Sequence, residues 1–381
     1  ASAPSGRRRP PAASCARAAS APATVHPAQT RMQITLVVPE LIWPEPDDRD
    51  ALDALPCPGL GTLIARGQID RRPPQSVEAT LADTFGLAGN VAYAALRILG
   101  EDSPPAAADA CWLCADPVHL RLHQERLILA DGASLGIELA EAAAIVDDFN
   151  RQFPDVGVFH VATADRWYLQ LPRATDFRDF DVLPLSVVAG RRVARQLPDG
   201  PEMRWLRQLL NEVQMVLHRH PANEQREEAE RSTINSLWLW GAGVLPPASP
   251  RDFAAIWSES PLARGLGHAA GVPVRPLPDD ARALLAAARP GRQLIVLEAL
   301  QRAVQYEDAE AWRAGLLGLE ARWFAPLQRA LASGRIDHLR LEAPTAYATL
   351  AWESRRGEQW KLWRRPEPLA TIAQALAKAD Q

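Results

Sequence analysis

The sequence has 381 residues and a mass of 41.7 kDa, enough for one large domain or two of ordinary size. Hydrophobic residues make up 47% and charged residues 23%, a balance that predicts a packed core. The net charge of −4 argues against a general nucleic-acid binder, and no apolar run is long enough to predict a membrane span. Four cysteines are too few for a disulfide framework, so we expect a reducing, cytoplasmic compartment.

Residues 1–31 contain five arginines, no acid and no apolar periodicity, so we predict a disordered tail. The arginines are Arg7, Arg8, Arg9, Arg17 and Arg31. A transit peptide and a nucleic-acid arm are two interpretations of this composition. We favour a third, in which Met32 is the natural start, because it stands just before a predicted strand.

Hydrophobic periodicity then predicts alternating strands and helices towards both ends of the chain and a different order of elements in the middle. The predicted strands are 34–38, 127–129, 156–160, 167–171, 236–240, 293–297, 339–341 and 346–352. The predicted helices are 60–66, 76–99, 135–153 with Ser134 as N-cap, 202–218, 278–288, 309–332 and 369–379. A break rich in proline and alanine covers 101–109. The pattern indicates an α/β protein with a central α+β insertion.

The pair Cys111-Trp-Leu-Cys114 has the spacing of a redox pair or of half a zinc site. Asp116-Pro117 follows, so any helix would begin after the pair. A zinc site would need further ligands, and His119 and His123 would share one face of a helix. We favour ordinary buried cysteines over both functional interpretations.

The densest polar cluster lies at the end of the predicted helix 202–218. It contains His218, His220, Asn223 and Arg226. One interpretation is an anion or sugar-phosphate pocket around Arg226; the other is a hydrogen-bonded network between domains.

The following strand runs into Gly241-Ala-Gly243, which lacks the third glycine of a dinucleotide fingerprint. A Gly-x-Gly at a strand end still allows close approach of a ligand.

The middle section resembles archaeal-type cofactor-independent phosphoglycerate mutases of the alkaline phosphatase superfamily. The matching segments are Arg166–Leu169, Leu217–Arg226 and Asn235–Gly243, with weaker matches at Leu36–Pro39 and Pro58–Gly67. A bacterial group of mutase-like proteins, the RpfE-type regulatory proteins, is more similar still. That similarity rests on Cys111–Leu113, Asp116–Leu120, Asn211–Met215 and Trp360–Pro366.

The resemblance implies two divalent metals, held by Asp and His, and a serine or threonine nucleophile. The sequence departs from that pattern at several points. Pro39 stands where the family has an Asp after the first strand, and residues 269–337 contain no His. Glu342-Ala-Pro344 stands where the family has an Asp-His pair, and Asp337-His338 precedes its strand instead of following it.

We therefore expect an alkaline-phosphatase-like three-layer α/β/α core at 32–108 and 245–381, with a mutase-type α+β domain inserted at 109–244. The favoured function is that of a catalytically degenerate mutase relative with a binding or regulatory role, without metal or other cofactor. An active metal-dependent mutase or phosphatase is the alternative, and a structural protein held together by its tryptophans is a third hypothesis. The expected partner is a small phosphorylated or carboxylate ligand. The predicted ligand residues are Arg166, His218, His220, Asn223, Arg226 and Asn235.

Overall fold

The computed structural model describes residues 31–102, 110–123, 126–172, 177, 180, 182–193, 203–247, 250–361 and 363–378. The predicted tail therefore lies outside the described residues except for Arg31, and so does most of the predicted 101–109 break. From Arg31 onwards the chain forms one compact unit. Among the described residues no helix is long and apolar enough to cross a bilayer.

The strands are β1 (Gln33–Val37), β2 (Gln68–Arg72), β3 (Cys111–His123), β4 (Arg126–Asp131), β5 (Val158–Thr163), β6 (Arg166–Leu171), β7 (Arg192–Val193), β8 (Ser236–Val244), β9 (Ala255–Trp257), β10 (Val274–Arg275), β11 (Arg292–Val296), β12 (His338–Pro344) and β13 (Thr349–Arg355). The helices are α1 (Arg49–Leu52), α2 (Pro58–Arg66), α3 (Val77–Thr84), α4 (Tyr93–Leu99), α5 (Gly132–Leu135), α6 (Leu139–Gln152), α7 (Leu185–Val188), α8 (Met203–His218), α9 (Pro221–Glu228), α10 (Pro261–Ala269), α11 (Ala281–Ala287), α12 (Gln301–Gln305), α13 (Ala309–Leu319), α14 (Ala325–Ser333) and α15 (Leu369–Lys378). A π-helical turn, Glu320–Phe324, joins α13 to α14.

The larger sheet has the strand order β10-β9-β11-β1-β12-β13-β2. Strand β1 is parallel to both of its neighbours, whereas β13 is antiparallel to β12 and to β2. Along β1, Ile34 and Leu36 pack into a core shared with α2, α13, α14 and α15, and Val37 packs into one shared with α3 and α10. Because successive side chains of a strand point to opposite faces, both faces are covered by helices. This confirms the predicted three-layer α/β/α core.

The second sheet is antiparallel, with the order β5-β6-β3-β4-β7, and β8 pairs with β3. Its strands lie between β2 and β9 in the chain, as the predicted α+β insertion requires. One face packs on α6 and α8 through Phe149 and Val213. The other face meets α4 of the core through Trp112, Tyr168 and Trp240. The predicted domain limits near 108 and 245 stay predictions.

Several predicted elements were wrong in detail. The helix 76–99 is two helices, because the chain turns at Gly86 and Gly89, which both have positive φ. The helix 135–153 begins at Leu139, and its N-cap is Glu138, which forms a capping box with Glu141. Ser134 lies instead within the short helix α5.

The strand predicted to end at Trp240 continues to Val244. A Cβ on Gly243 would lie 2.5 Å from the Cβ of Ala92, so this glycine permits close packing against the start of α4. Strand β3, Cys111–His123, was not predicted from the sequence, because the spacing of its cysteines and histidines directed attention to a redox or zinc motif.

Candidate functional site at the carboxyl edge of the parallel strands

Four parallel strands of the larger sheet end at one edge, where ligands bind in open α/β sheets. Glu40 follows β1, Glu298 follows β11, Ser258 follows β9 and Thr345 follows β12. Two neighbouring cavities lie along this edge. The larger, of about 680 Å³, borders the ends of β1 and β12, and the smaller, of about 300 Å³, borders the ends of β9 and β11. Ser186 and Gln301 line both cavities.

Glu40 projects from the end of β1 at the wall of the larger cavity. Its φ of 57° lies in the left-handed region, which is uncommon for a residue with a side chain. The backbone is held there because the Glu40 N–H donates to the carbonyl of Pro344 (2.9 Å) and its own carbonyl accepts from Trp312 Nε1 (3.0 Å). The carboxylate accepts a hydrogen bond from Arg191 Nη2 (3.0 Å). Burial raises the pKa of Glu40, and the nearby Arg191 guanidinium opposes that rise.

Glu78 and Glu298 line the smaller cavity. The side chain of Glu298 is exposed at the cavity lining, and the protein groups packed around its carboxyl raise its pKa to about 7, with a contribution from the charge of Glu78. Hydrogen bonding to Ser260 and the charge of Arg166 act in the opposite direction. The pKa of Glu78 is also raised, chiefly by burial, although the Ser186 hydroxyl donates to it (2.7 Å). A carboxyl group that titrates near neutrality in a cavity is able to exchange a proton there.

Two arginines that line the smaller cavity, Arg97 and Arg166, each bind a carboxylate behind its wall. Arg97 binds Asp116 through two hydrogen bonds of 2.7 and 2.8 Å, and Arg166 binds Glu101 through two of 2.8 and 2.9 Å. Trp240 Nε1 donates to Asp116 (2.8 Å) and the hydroxyl of Tyr168 to Glu101 (2.7 Å). Both carboxylates are therefore satisfied by groups of the second sheet and of α4.

Of the predicted ligand residues, only Arg166 lies at these cavities. Its guanidinium is engaged by Glu101, as described above. The other predicted residues lie on the opposite side of the second sheet's core, around α8, α9 and β8.

Asn223 and Arg226 are 3% and 1% exposed and make hydrogen bonds within the chain. Asn223 donates to the carbonyls of Leu217 and Ile234 (2.7 Å each) and accepts from the N–H of Ile234 (2.8 Å). Arg226 donates to Glu141 (2.9 Å), to the carbonyl of Ser232 (2.8 Å) and to the carbonyl of Leu135. Asn235 bonds to both the N–H and the carbonyl of Leu120. These contacts tie α9 to the residues just before β8, and those residues to β3.

His218 and His220 line a groove of about 550 Å³ beside α8. The ring Nδ1 of His220 accepts the N–H of Ala222 (3.1 Å) and so caps α9, and Nε2 lies 3.2 Å from Asp148. An accepting Nδ1 requires the neutral tautomer with hydrogen on Nε2. Burial correspondingly lowers the pKa of His220. A role of these residues in binding an anion stays a prediction.

Cys111 and Cys114 are free, buried and on opposite faces of β3. Cys111 packs into the core beneath α6, whereas Cys114 packs against α4. Burial raises the pKa of Cys111 to about 11 and that of Cys114 further. His119 and His123 belong to strand β3 and not to a helix, so they do not share the face of a helix.

The residues at the strand ends do not fit the two-metal centre that the mutase resemblance implies. Among the described residues no three side chains of His, Cys, Asp or Glu converge to hold a metal ion. Position 39 is Pro39, Glu40 is paired with Arg191, and Glu342 near the end of β12 contacts Arg72 and Arg340. Asp337-His338 lies at the amino end of β12, as its position in the sequence predicts.

Sequence reasoning missed Glu40 and Glu298 as candidates. Each stands shortly after a strand that the sequence did predict, so an acid at the carboxyl end of a buried strand was the available signal.

Comparison with known proteins finds relatives named as phosphoglycerate mutases, the family that the sequence motifs resemble. The chain is 25% identical over 252 residues to the 2,3-bisphosphoglycerate-independent phosphoglycerate mutase of Methanosarcina mazei, covering 60% of this chain and 59% of that protein. It is 35% identical over 98 residues to a probable enzyme of the same name from Geobacter sulfurreducens, covering 24% of this chain and 25% of that protein. No family model matches the chain.

In fold, the chain is similar to the PH0037 protein from Pyrococcus horikoshii, with a TM-score of 0.54 and 13% identity over 92% of this chain and 96% of that chain. The chain spans 59% and 58% of the length of the two Methanosarcina mutases from M. mazei and M. barkeri. By its sequence, the chain is similar to 2,3-bisphosphoglycerate-independent phosphoglycerate mutases over about 60% of its length.

Proposed function

We propose that this chain is a catalytically degenerate phosphoglycerate mutase-like protein that acts by binding, in a regulatory role. The observation that carries the proposal is the ion pair between Glu40 and Arg191 at the end of β1. The resemblance implies a metal-binding carboxylate at this edge, and here one oxygen of the Glu40 carboxylate is paired with the Arg191 guanidinium.

The chemistry of metal binding explains why this pairing matters. Divalent cations in phosphoryl-transfer sites need several anionic or imidazole ligands directed at one point. An arginine at that point neutralises the carboxylate and repels a metal ion by charge. Glu342 repeats the arrangement at β12, because Arg72 and Arg340 both contact it.

The binding role is supported by the cavities that remain at this edge. The larger one keeps a volume typical of small-molecule sites and is lined mainly by apolar side chains. Its polar lining comprises Glu40, Gln75, Ser76, Asn90, Ser186, Arg191, Gln301 and Thr345. A small phosphorylated or carboxylate ligand is the proposed occupant. The likeness to RpfE-type regulatory proteins favours regulation over metabolism.

An assay for interconversion of 3-phosphoglycerate and 2-phosphoglycerate, with Mn²⁺ or Mg²⁺, tests the loss of activity. We expect no turnover above buffer. Turnover that disappears in the variant Glu40→Ala/Arg191→Ala would overturn the proposal and support the active enzyme. Turnover that persists in that variant would come from a contaminating host mutase.

A thermal-shift titration with 3-phosphoglycerate tests the binding role separately, because a ligand that prefers the native state raises its melting temperature. We expect a shift without metal that is lost in Arg191→Ala and kept in Arg302→Ala. A shift that requires a divalent metal would contradict the proposal.

A further inference from the structure

The C-terminal segment presents two tryptophans to solvent beside the edge of the larger sheet. Trp360 and Trp363 are 64% and 63% exposed, and Ile69 on the neighbouring strand β2 is 61% exposed. Large apolar side chains are usually covered, and grouped exposure of this kind marks interaction sites. We call Ile69, Trp360, Trp363, Arg364 and Arg365 the Trp–Arg surface.

The two indole rings hold each other in a fixed arrangement. Their centroids are 4.8 Å apart and their planes meet at 74°, an edge-to-face contact. The segment is anchored on both sides of the pair. Arg66 Nη1 donates to the carbonyl of Gln359 (2.7 Å), and Arg364 Nη1 donates to the carbonyl of Gly67 (3.3 Å). A partner would therefore meet a preorganised aromatic surface, at a low cost in conformational entropy.

A groove of about 440 Å³ adjoins this surface. Ile64, Ile69, Trp352 and Ile372 contribute apolar side chains to it. Arg364 and Arg365 contribute two positive charges and Glu367 one negative charge, so the charged lining is net positive. Strand β2 is the last strand of the sheet and pairs, among the described strands, with β13 alone. Its other edge presents backbone N–H and carbonyl groups on which an added strand can pair.

The charge of the segment is opposite to that of the whole chain. Residues 355–367 contain five basic residues and two acidic ones, whereas the chain carries a net charge of −4. Tryptophan and arginine are also the residues most enriched at the energetic centres of protein interfaces. The complement of this surface is acidic, with apolar side chains.

We propose that the Trp–Arg surface docks an extended, acidic segment of a partner protein, which adds a strand to β2. Alternate side chains of that segment would enter the groove, and its carboxylates would meet Arg364 and Arg365. A nucleic acid is disfavoured because the chain as a whole is acidic. A lipid surface is disfavoured because it makes no use of a concave groove or of a free strand edge. The inference does not depend on the function proposed for the cavities.

Selection from a random peptide library displayed on phage, with the full chain immobilised, tests the proposal. We expect the selected peptides to alternate acidic and apolar residues. Synthetic versions should bind roughly tenfold or more weakly to Trp360→Ala/Trp363→Ala, as for interface hot spots. They should bind Leu139→Ala normally, because Leu139 is an equally exposed apolar residue (61%) elsewhere. Melting temperatures of both variants should match the parent, since these side chains are exposed.

N-methylation of alternate backbone nitrogens in the same peptide tests the added strand, and we expect binding to be lost in one register. The proposal is overturned if the selected peptides carry no acidic excess, if the double variant binds them equally, or if both N-methylated registers bind. It is also overturned if phosphatidylserine vesicles or oligothymidylate, but not the peptides, bind in a way that requires Trp360 and Trp363.

Discussion

Arg97 and Asp116 form a two-point ion pair in which the aspartate side chain is completely buried. The pair joins α4 of the core to β3 of the second sheet, and the Arg97 guanidinium also lies over the rings of Tyr168 (5.2 Å) and Trp240 (5.6 Å). Coulombic attraction to Asp116 helps to raise the pKa of Arg97 against the effect of desolvation. The contact between α4 and the second sheet therefore depends on this pair and on the pair Arg166–Glu101, as well as on apolar packing.

Replacement of Asp116 by Ala should lower the free energy of unfolding by about 3–5 kcal/mol, because it leaves a buried guanidinium without its partner. The double variant Arg97→Met/Asp116→Ala should lose much less than the single changes Arg97→Met and Asp116→Ala added together. Urea denaturation of the four proteins measures this cycle. The exposed pair Arg264–Asp102 is the matched control, and Arg264→Met should change stability little. Additive effects in the buried cycle would contradict the assignment.

Arg226→Lys distinguishes the two interpretations of the polar cluster around α9. The structure gives the guanidinium three separate acceptors, which a single ammonium cannot reach together, so we expect a loss of stability of about 1–3 kcal/mol. Arg231→Lys, which alters a more exposed neighbour of Glu141, should cost less. Unchanged stability, together with loss of phosphate or carboxylate binding at millimolar concentration, would instead support the ligand site.

Glu298 should make the protein less stable as the pH rises. Its pKa in the folded chain is raised from 4.5 to about 7, so the folded state holds the proton more tightly than the unfolded state. Its contribution is most favourable below the unfolded pKa and is lost as the pH rises through the folded pKa. The melting temperature of Glu298→Gln should therefore fall less than that of the parent between these two values, whereas Glu228→Gln, at a position outside the cavity, should follow the parent. Parallel curves for Glu298→Gln and the parent would refute the assignment.

Replacement of Cys111 and Cys114 by Ala should cost a modest amount of stability, of the order of 1–2 kcal/mol as for other small core changes, and leave ligand binding intact. Both thiols are buried and have a raised pKa, so neither should react with a thiol reagent until the chain unfolds. Reagent uptake by the native parent and by the double variant should be equal. Zinc co-purifying in equimolar amount with the parent but not with the variant would overturn this prediction.

The sequence by itself determined the α/β class, the buried parallel strand β1 and the amphipathic helix α8, because apolar periodicity over a segment depends on that segment alone. The resemblance to phosphoglycerate mutases predicts an acid directly after β1, and the sequence has Pro39 at that position. Only the tertiary structure determined where the side chains of β3 lie. Its cysteines and histidines have motif spacing along the chain, but strand pairing places Cys111 and Cys114 on opposite faces.

The candidate site also could not be predicted from the sequence, because its residues come together only in the folded chain. Glu40 and Arg191 are separated by 151 positions in the sequence. Arg97 lies in α4 of the core, whereas Asp116 lies in β3 of the second sheet. No local sequence pattern therefore predicts either pair. Arg226 looked like a ligand residue because an arginine fork binds anions, but the same fork also binds protein carbonyls. Which partner it has is decided by where Leu135, Glu141 and Ser232 lie in space. Only the fold brings charged residues from separate parts of the chain within hydrogen-bond distance.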